Sequence, residues 1–169
     1  MNMEDKSLYV LAGYDDQTEK RLAGMQNKLY EQGFDGVQTK NIPMHFTLGS
    51  YDTEREEELK ERLKEIGKNL PAFEVSFNHI GLFKSPETEV LFVAPDVSKK
   101  MLELKDRFLD CKDILDWSAH TTLLIDRPDE IQRAIPVVMD DFYPLKGKVT
   151  TLYLYEFWPT RHILTIDLA

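Results

Sequence analysis

The chain has 169 residues, of which 42% are hydrophobic and 11% aromatic, and its formal net charge at pH 7 is −9. This length fits one domain, and the apolar share supports a packed core, which excludes global disorder. The acidic balance argues against binding to duplex DNA or long RNA, because such binding depends on neutralising many phosphates.

Three further features restrict the class of protein. The single cysteine, Cys111, excludes an intramolecular disulfide and a zinc site with several cysteines. No apolar segment is long enough to span a membrane, and the polar start from Met1 to Lys6 lacks the order of a signal peptide. We therefore expect a cytoplasmic protein with no membrane partner.

In the first half of the chain, apolar patterning predicts two strands, two helices and a hairpin. Strands are predicted at 7–14 and 45–51, and helices at 15–33 and 52–67. Alternating residues from Phe73 to Leu82 and the run from Val90 to Ala94 form a hairpin around the turn at 85–87.

The second half repeats this plan. A helix begins at Ser98 with a buried stripe of Met101, Leu104, Phe108 and Cys111, and a loop at 113–119 leads into a strand at 120–125. The next helix begins at 126–128, and we expect Pro136 to kink or shorten it. Strands at 148–157 and 163–168, separated by a turn at 158–160, end the chain. The order of helix, strand, helix and hairpin thus occurs twice, which predicts a mixed fold.

Two matched motifs lie in equivalent positions of the repeated plan. They are His45-Phe46-Thr47-Leu48 and His120-Thr121-Thr122-Leu123, 75 positions apart. Side chains alternate between the faces of a strand, so each His and the Thr two residues later point the same way. Two such strands side by side would bring two imidazoles and two hydroxyls to one cleft.

This set of groups suits displacement at phosphorus. Histidine exchanges protons near neutral pH, so one imidazole can act as base towards the attacking oxygen while the other protonates the leaving oxygen. No metal is required. The hydroxyls of Thr47 and Thr122 can hydrogen-bond the non-bridging phosphate oxygens. A single His on an apolar strand is more often structural, and the doubled motif favours the catalytic interpretation.

Other candidates are weaker. We expect His79 to be a packed or edge residue and His162 a surface residue, and we do not expect the four histidines to form a metal site. Tyr153, Tyr155 and Phe157 share one face of the last long strand and are most simply core. Tyr155 or Trp158 is a weak candidate for stacking on a nucleobase. The sequence leaves open the hypothesis of a local basic cleft, whose donors would be Lys84, Arg127, Lys146, Lys148 and Arg161.

The motifs resemble those of the 2H phosphoesterase superfamily, which has two motifs of the form His-x-Thr/Ser-apolar. The first match extends back to Pro43, whereas Ser118-Ala119 precedes the second motif, where the family often has proline. The resemblance implies a two-lobed α+β fold that forms one domain over residues 1–169. In this fold a duplicated unit places antiparallel sheets along a central cleft and helices on the outside. The resemblance also implies His45 and His120 as the acid–base pair and Thr47 and Thr122 as phosphate ligands.

The function implied is that of a metal-independent phosphoesterase with no cofactor. It would open cyclic phosphodiesters, or cleave or join 2′-5′ linkages, in nucleotides or RNA ends. The alternative is a non-catalytic module of the same fold that binds a nucleotide or RNA end, and an interaction protein with coincidental histidines ranks last. We expect a monomer whose partner is a small phosphodiester, nucleotide or RNA end.

Overall fold

The structure is a computed structural model that describes residues 6–112 and 117–169. In these residues seven strands and four α-helices follow one another in the predicted order, with two short 3-10 helices at Thr53–Arg55 and Asp106–Phe108. The strands are β1 (Ser7–Tyr14), β2 (His45–Tyr51), β3 (Phe73–Phe83), β4 (Glu89–Pro95), β5 (Thr121–Asp126), β6 (Leu145–Phe157) and β7 (Arg161–Asp167). The helices are α1 (Asp16–Glu31), α2 (Glu56–Asn69), α3 (Lys99–Lys105) and α4 (Pro128–Asp141). The predicted mixed α+β class is confirmed. The N-terminal residues 1–5 and part of the predicted loop at 113–119 lie outside the described residues.

Helix starts follow the capping signals in the sequence. The Asp15 carboxylate precedes α1 and accepts hydrogen bonds from the Thr18 hydroxyl, at 2.7 Å, and from the Thr18 backbone N–H. The Ser98 hydroxyl accepts from the backbone N–H of Met101 at 3.1 Å. The two bonds from the backbone N–H groups of Thr18 and Met101 each satisfy a donor that a helix start leaves without an intrahelical partner.

The described strands form one antiparallel sheet, in the order β2-β1-β6-β3-β4-β5, with β7 also paired to β6. The two motif strands are not neighbours in this sheet, because β2 and β5 are the two ends of this order. Even so, Cα atoms of β2 and β5 come within 8 Å of each other. Strands in a sheet twist successively in one direction, and this twist allows the ends of a six-strand series to approach.

The pairing pattern repeats between the two halves of the chain. The β1–β2 pair corresponds to β4–β5, the β1–β6 pair to β4–β3, and β3–β6 joins the halves. The long strand β6 makes the junction, since residues 149–157 pair with β1 while residues 145–149 pair with β3. The motif strands β2 and β5 thus occupy equivalent places in the repeat.

Buried side chains form two clusters. The larger lies between the sheet and the helices and includes Phe46, Leu48 and Leu123. In the smaller, Leu11, Tyr155 and Phe157 are buried and Tyr153 packs against them. Leu11 lies opposite both Thr47 and Tyr153 across β1, so this smaller cluster lies on the same sheet face as the first motif. The expectation that these aromatic residues belong to the core is confirmed for Tyr155 and Phe157, which are buried in the smaller cluster, while Tyr153 packs against it. The face that they share is the one that carries His45.

Some details differ from the sequence-based expectations. The helix α4 is not shortened at Pro136 but continues to Asp141, because Ile131, Ala134 and Val138 bury its other side while Pro136 is exposed. At an exposed position water can satisfy the carbonyl that proline leaves without a donor. Cys111 is buried, as expected for a core residue.

In the described part of the chain, no helix is both long and apolar enough to cross a membrane.

Candidate active site

The first motif is positioned by β2, whose bounds match the prediction. His45 and Thr47 are partly exposed, whereas Phe46 and Leu48, which alternate with them, are fully buried. His45 lies opposite Gly13 of β1. The strand therefore presents the imidazole and the hydroxyl on one face, as expected from its alternation.

The second motif lies at the start of β5. His120 immediately precedes the strand, and Thr122 is partly exposed, while Thr121 and Leu123 are fully buried. The Thr121 hydroxyl and the Tyr14 hydroxyl form a buried hydrogen bond of 2.6 Å. Of the two threonines after His120, only Thr122 is therefore turned towards the face that carries the histidine.

The two imidazoles are held in the same way. Nδ1 of His45 lies 2.7 Å from the carbonyl oxygen of Pro43, and Nδ1 of His120 lies 2.8 Å from that of Ser118. A carbonyl oxygen can only accept, so Nδ1 carries the hydrogen in both rings. In the neutral form of each ring, Nε2 is then the nitrogen that can take a proton.

Both histidines hold protons weakly in the free protein. Burial, together with the charge of His120, lowers the pKa of His45 from 6.5 to about 4, and the hydrogen bond to Pro43 opposes this shift. Burial also lowers the pKa of His120 below 6.5, while its hydrogen bond to Ser118 opposes this. Both rings are therefore neutral at pH 7, and they lie close enough for their charges to interact.

A cavity of about 100 Å³ lies beside His45. It brings His45 of the first motif together with Thr122 of the second, and Trp158 from the turn after β6 also lines it. His120 and Thr47 do not line this cavity. The ring of His120 instead packs against Phe83 and Phe92, with centroid distances of 4.8 Å and 5.4 Å.

A second cavity of about 390 Å³ adjoins the first. Gln38, Thr39 and Trp158 line both cavities, and Asn41 lines the second. The combined space is in the range of small-molecule sites. Sequence reasoning missed Gln38 and Thr39. The signal present was the long connection between α1 and β2, since long ordered loops next to a motif often carry binding residues.

The backbone of this connection is unusual. Gln38 and Asn41 have φ values of 60° and 64°, in the left-handed region that residues other than glycine rarely adopt. Such conformations concentrate at functional sites, where the surrounding structure holds them in place. Gln38 lies beside both cavities and Asn41 beside the second, which marks the connection as part of the candidate site.

The two aromatic residues considered for stacking differ in access. Tyr155 is 8% exposed, and its ring is stacked against that of Phe157 at a centroid distance of 5.7 Å. Trp158 stacks on Phe157 at 4.6 Å, is partly exposed and lines both cavities. Trp158 is thus the aromatic side chain that a ligand in these cavities can reach.

Comparison with known protein families identifies the chain. The family model described as the 2′-5′ RNA ligase superfamily matches residues 14–157, which include both motifs. The chain belongs to the 2′-5′ RNA ligase superfamily. The resemblance to the 2H phosphoesterases predicted from the motifs is thereby confirmed.

Solved structures agree with this membership at the level of the fold. A structure of TT0787 from Thermus thermophilus has a TM-score of 0.64 and 14% identity, covering 96% of this chain and 97% of that one. LigT from E. coli in its apo form has a TM-score of 0.63 and 15% identity, covering 97% and 98%. LigT complexed with 3′-AMP has a TM-score of 0.62, with 15% identity and the same coverage. No protein of curated function matches the sequence significantly.

The other two histidines of this superfamily member lie outside the motifs. His79 is exposed and lies beyond residues 73–77 of β3, the part that pairs with β6, so it is an edge residue, one of the two placements expected for it. Its Nδ1 lies 3.7 Å from an oxygen of Asp96. His162 is exposed, as expected, and Nε2 lies 2.7 Å from the Thr165 hydroxyl. Within residues 6–112 and 117–169, no three His, Cys, Asp or Glu side chains are grouped so that they could hold a metal ion.

The five basic residues considered as phosphate donors do not line the cavity beside His45. Three of them form ion pairs: Lys84 with Glu89 at 2.8 Å, Arg127 with Asp129 at 3.2 Å, and Arg161 with Glu156 at 2.9 Å. A phosphate in this cavity would therefore be met by imidazole and hydroxyl groups rather than by these cations.

Proposed function

We propose that this member of the 2′-5′ RNA ligase superfamily is a metal-independent phosphoesterase with His45 and His120 as its acid–base pair. Its reaction is the opening of cyclic phosphodiesters, or the cleavage or joining of 2′-5′ linkages. The observation that carries the proposal is the matched hydrogen bond from each Nδ1 to a backbone carbonyl. These bonds fix the same tautomer in two rings whose charges interact, which is what an exchange of acid and base roles requires.

The chemistry balances with these groups alone. In ring opening, Nε2 of one neutral imidazole takes a proton from water as its oxygen forms a bond to phosphorus. The bond from phosphorus to the ribose oxygen breaks, and this oxygen takes a proton from Nε2 of the other, protonated imidazole. The product is a phosphomonoester, and the proton has moved from one histidine to the other. In joining, a 5′-hydroxyl takes the place of water as the group that attacks the cyclic phosphate, and cleavage of a 2′-5′ linkage is the reverse of that step.

Thr47 and Thr122 supply the remaining contacts in this proposal. Each lies on the same strand face as its histidine and is partly exposed. Their hydroxyls would donate hydrogen bonds to the non-bridging oxygens, whose negative charge the transition state must stabilise. Thr122 shares the cavity with His45, which supports a phosphate position between the two motif strands.

The proposed substrate is a small nucleotide or an RNA end. The cavities beside His45 are lined by Trp158 and the amide of Gln38, which suit a nucleobase through stacking and hydrogen bonds. A structure of LigT contains 3′-AMP, and another contains phosphate. Trp158 is favoured over Tyr155 as the stacking residue because of its access. The cytoplasmic location and monomeric state stay predictions.

The test is a substrate panel in the presence of EDTA, with 2′,3′-cyclic nucleotides, ADP-ribose cyclic phosphate and 2′-5′ oligonucleotides. We expect turnover of at least one member, lowered about 10²- to 10⁴-fold in both His45→Ala and His120→Ala. His162→Ala is the matched control and should retain wild-type turnover, because this exposed histidine lies outside both motifs. Full activity in either motif variant, or complete loss with EDTA, would contradict the proposal.

A further inference from the structure

The two motif strands share a local irregularity. In β2, Thr47 lies opposite Leu11 and Gly49 opposite Val10, so Leu48 is an extra residue that forms a bulge. In β5, Leu123 is extra in the same way, between Thr122 and Leu124. Both bulges therefore fall on the leucine that ends the His-x-Thr-Leu motif. A bulge bends a strand and redirects its side chains, so its position affects where the motif histidine points.

The carbonyl of each bulged leucine accepts a hydrogen bond from a buried side chain. Lys105 Nζ donates to Leu48 O at 2.7 Å, and Gln26 Nε2 donates to Leu123 O at 3.0 Å. Lys105 is 5% exposed and Gln26 8%. We refer to these two contacts as the crossed hydrogen bonds. Burying a polar side chain without a hydrogen-bond partner lowers the free energy of unfolding, so each of these donors needs a partner such as the leucine carbonyl.

The bonds are crossed because each joins the two halves of the molecule. Gln26 belongs to α1, the helix before β2, yet it bonds β5. Lys105 ends α3, the helix before β5, yet it bonds β2. Each motif strand is thus held by the helix that leads into the other motif strand.

Main-chain contacts follow the same crossed pattern. The N–H of Val37 donates to Ile125 O at 2.8 Å, and the N–H of Lys112 donates to Ser50 O at 2.9 Å. The donor Val37 precedes His45 by eight positions, and the donor Lys112 precedes His120 by eight. The acceptor Ile125 follows His120 by five positions, and the acceptor Ser50 follows His45 by five. The pattern is therefore a feature of the repeat and not of one loop.

We propose that Gln26 and Lys105 are positioning residues of the two-histidine site, and that the crossed hydrogen bonds fix the separation of His45 and His120. The end strands β2 and β5 have no β-ladder between them, so their relative position depends on such contacts. Each bonded carbonyl lies three residues after a histidine. A small displacement of either carbonyl changes the distance between the two imidazoles, which would hold the phosphate between them. Displacements of about 1 Å can lower a reaction rate about 10²-fold.

The test uses variants that keep side-chain volume but lose the donor. Gln26→Met and Lys105→Met remove the crossed hydrogen bonds, and Gln17→Met and Lys100→Met are matched controls on the exposed sides of the same helices. This kinetic arm rests on the proposed function. We expect kcat to fall about tenfold or more in each buried variant, since a positioning loss acts on the transition state. KM should change less than about twofold in Lys105→Met, which is the cleaner variant, because Gln26 also lines the cavity beside His45 and Lys105 does not. The controls should keep the wild-type kcat.

A titration of the imidazoles by NMR provides the arm that does not depend on turnover. In the otherwise unchanged protein, His120→Ala should raise the pKa of His45, because a neighbouring cation is removed. In the Lys105→Met protein, His120→Ala should raise the pKa of His45 by less, because the two rings are no longer held at their original separation. A purely structural role would lower the melting temperature and leave this coupling unchanged.

The outcomes separate the two proposals. Loss of kcat together with reduced coupling between the rings supports the positioning role. Folded Gln26→Met and Lys105→Met proteins with unchanged kcat, together with unchanged coupling in the Lys105→Met background, would overturn it. If the unaltered protein turns over no substrate in the panel, the proposed function fails, and the coupling measured by NMR alone decides whether the crossed hydrogen bonds set the separation.

Discussion

His45 and His120 make the same hydrogen bond, each from Nδ1 to the carbonyl oxygen two residues earlier in the chain, at 2.7 Å and 2.8 Å. The acceptors belong to Pro43 and Ser118, so the bond does not depend on the residue type before the motif. It depends on the backbone conformation with which each motif begins. The proline that the family often has before the second motif is therefore not needed to orient His120.

The pH dependence of the reaction follows from the two imidazoles. The reaction needs one proton on the pair, and this form prevails between the pKa of His45, about 4, and that of His120, which lies below 6.5. Above that range, the singly protonated fraction falls about tenfold per pH unit. We expect kcat/KM to fall as the pH is raised from 6.5 to 8, and to fall again below pH 4. A kcat/KM that rises between pH 6 and pH 8 would contradict this protonation state.

The threonine hydroxyls should matter more to catalysis than to folding. Thr47→Val and Thr122→Val keep the shape of the side chain and remove its donor, and we expect kcat/KM to fall about 10²-fold. Thr121→Val is the matched control on the opposite face of β5. It removes the bond to Tyr14 and should lower the free energy of unfolding by about 1–3 kcal/mol, with kcat/KM close to that of the wild type. A fall in kcat/KM for Thr121→Val, with kcat/KM unchanged for Thr122→Val, would contradict this assignment and make Thr121 the phosphate ligand.

The role of Trp158 can be separated from the chemistry of the phosphate. Trp158→Ala should raise KM for a nucleotide substrate about tenfold, since stacking contributes about 1–3 kcal/mol per base. KM for glycerol 1,2-cyclic phosphate, a cyclic phosphodiester without an aromatic ring, should change little. Tyr143→Ala, at an aromatic residue that is 70% exposed, is the control. An equal rise of KM for both substrates would remove Trp158 from base recognition.

Two glycines test the packing behind β2. A Cβ atom added at Gly49 would lie 2.6 Å from the Cβ of Cys111, whereas one added at Gly24 in α1 would have no atom within 4 Å. Gly49→Ala should therefore lower the free energy of unfolding by about 1–3 kcal/mol through overpacking. Gly24→Ala should raise it by about 0.5–1 kcal/mol, because alanine favours a helix interior. Urea unfolding of both variants measures the difference, and a similar loss in both would contradict the close approach at Gly49.

Much of the fold was predictable because it depends on local patterns. The bounds of β1 and β2 follow from runs of strand-forming residues, and α1 follows from its cap at Asp15 and its apolar spacing. The pairing of strands was not predictable in this way. Alternation shows which residues share a face, but it does not show which strands are neighbours or which face is covered by helices. For this reason the sequence did not show that the motif strands lie at the two ends of the sheet order, or that the face of Tyr153 is the face that carries His45.

The candidate site was predictable only in part, for the same reason. His45, Thr47, His120 and Thr122 were found because the motif repeats. Gln26 and Lys105 were not, since a single Gln or Lys on an amphipathic helix has no pattern that distinguishes a buried donor from a solvent-exposed residue. Their contacts to Leu123 and Leu48 depend on how the halves pack.

The measurement that most directly tests the paired action of His45 and His120 is kcat/KM of the two single variants and the double variant on a 2′,3′-cyclic nucleotide with EDTA present. Residues that act as a unit have strongly non-additive effects. We predict that His45→Ala, His120→Ala and the double variant lose activity to a similar extent, about 10²- to 10⁴-fold. Full activity in either single variant, or losses that simply multiply in the double variant, would contradict a shared acid–base mechanism.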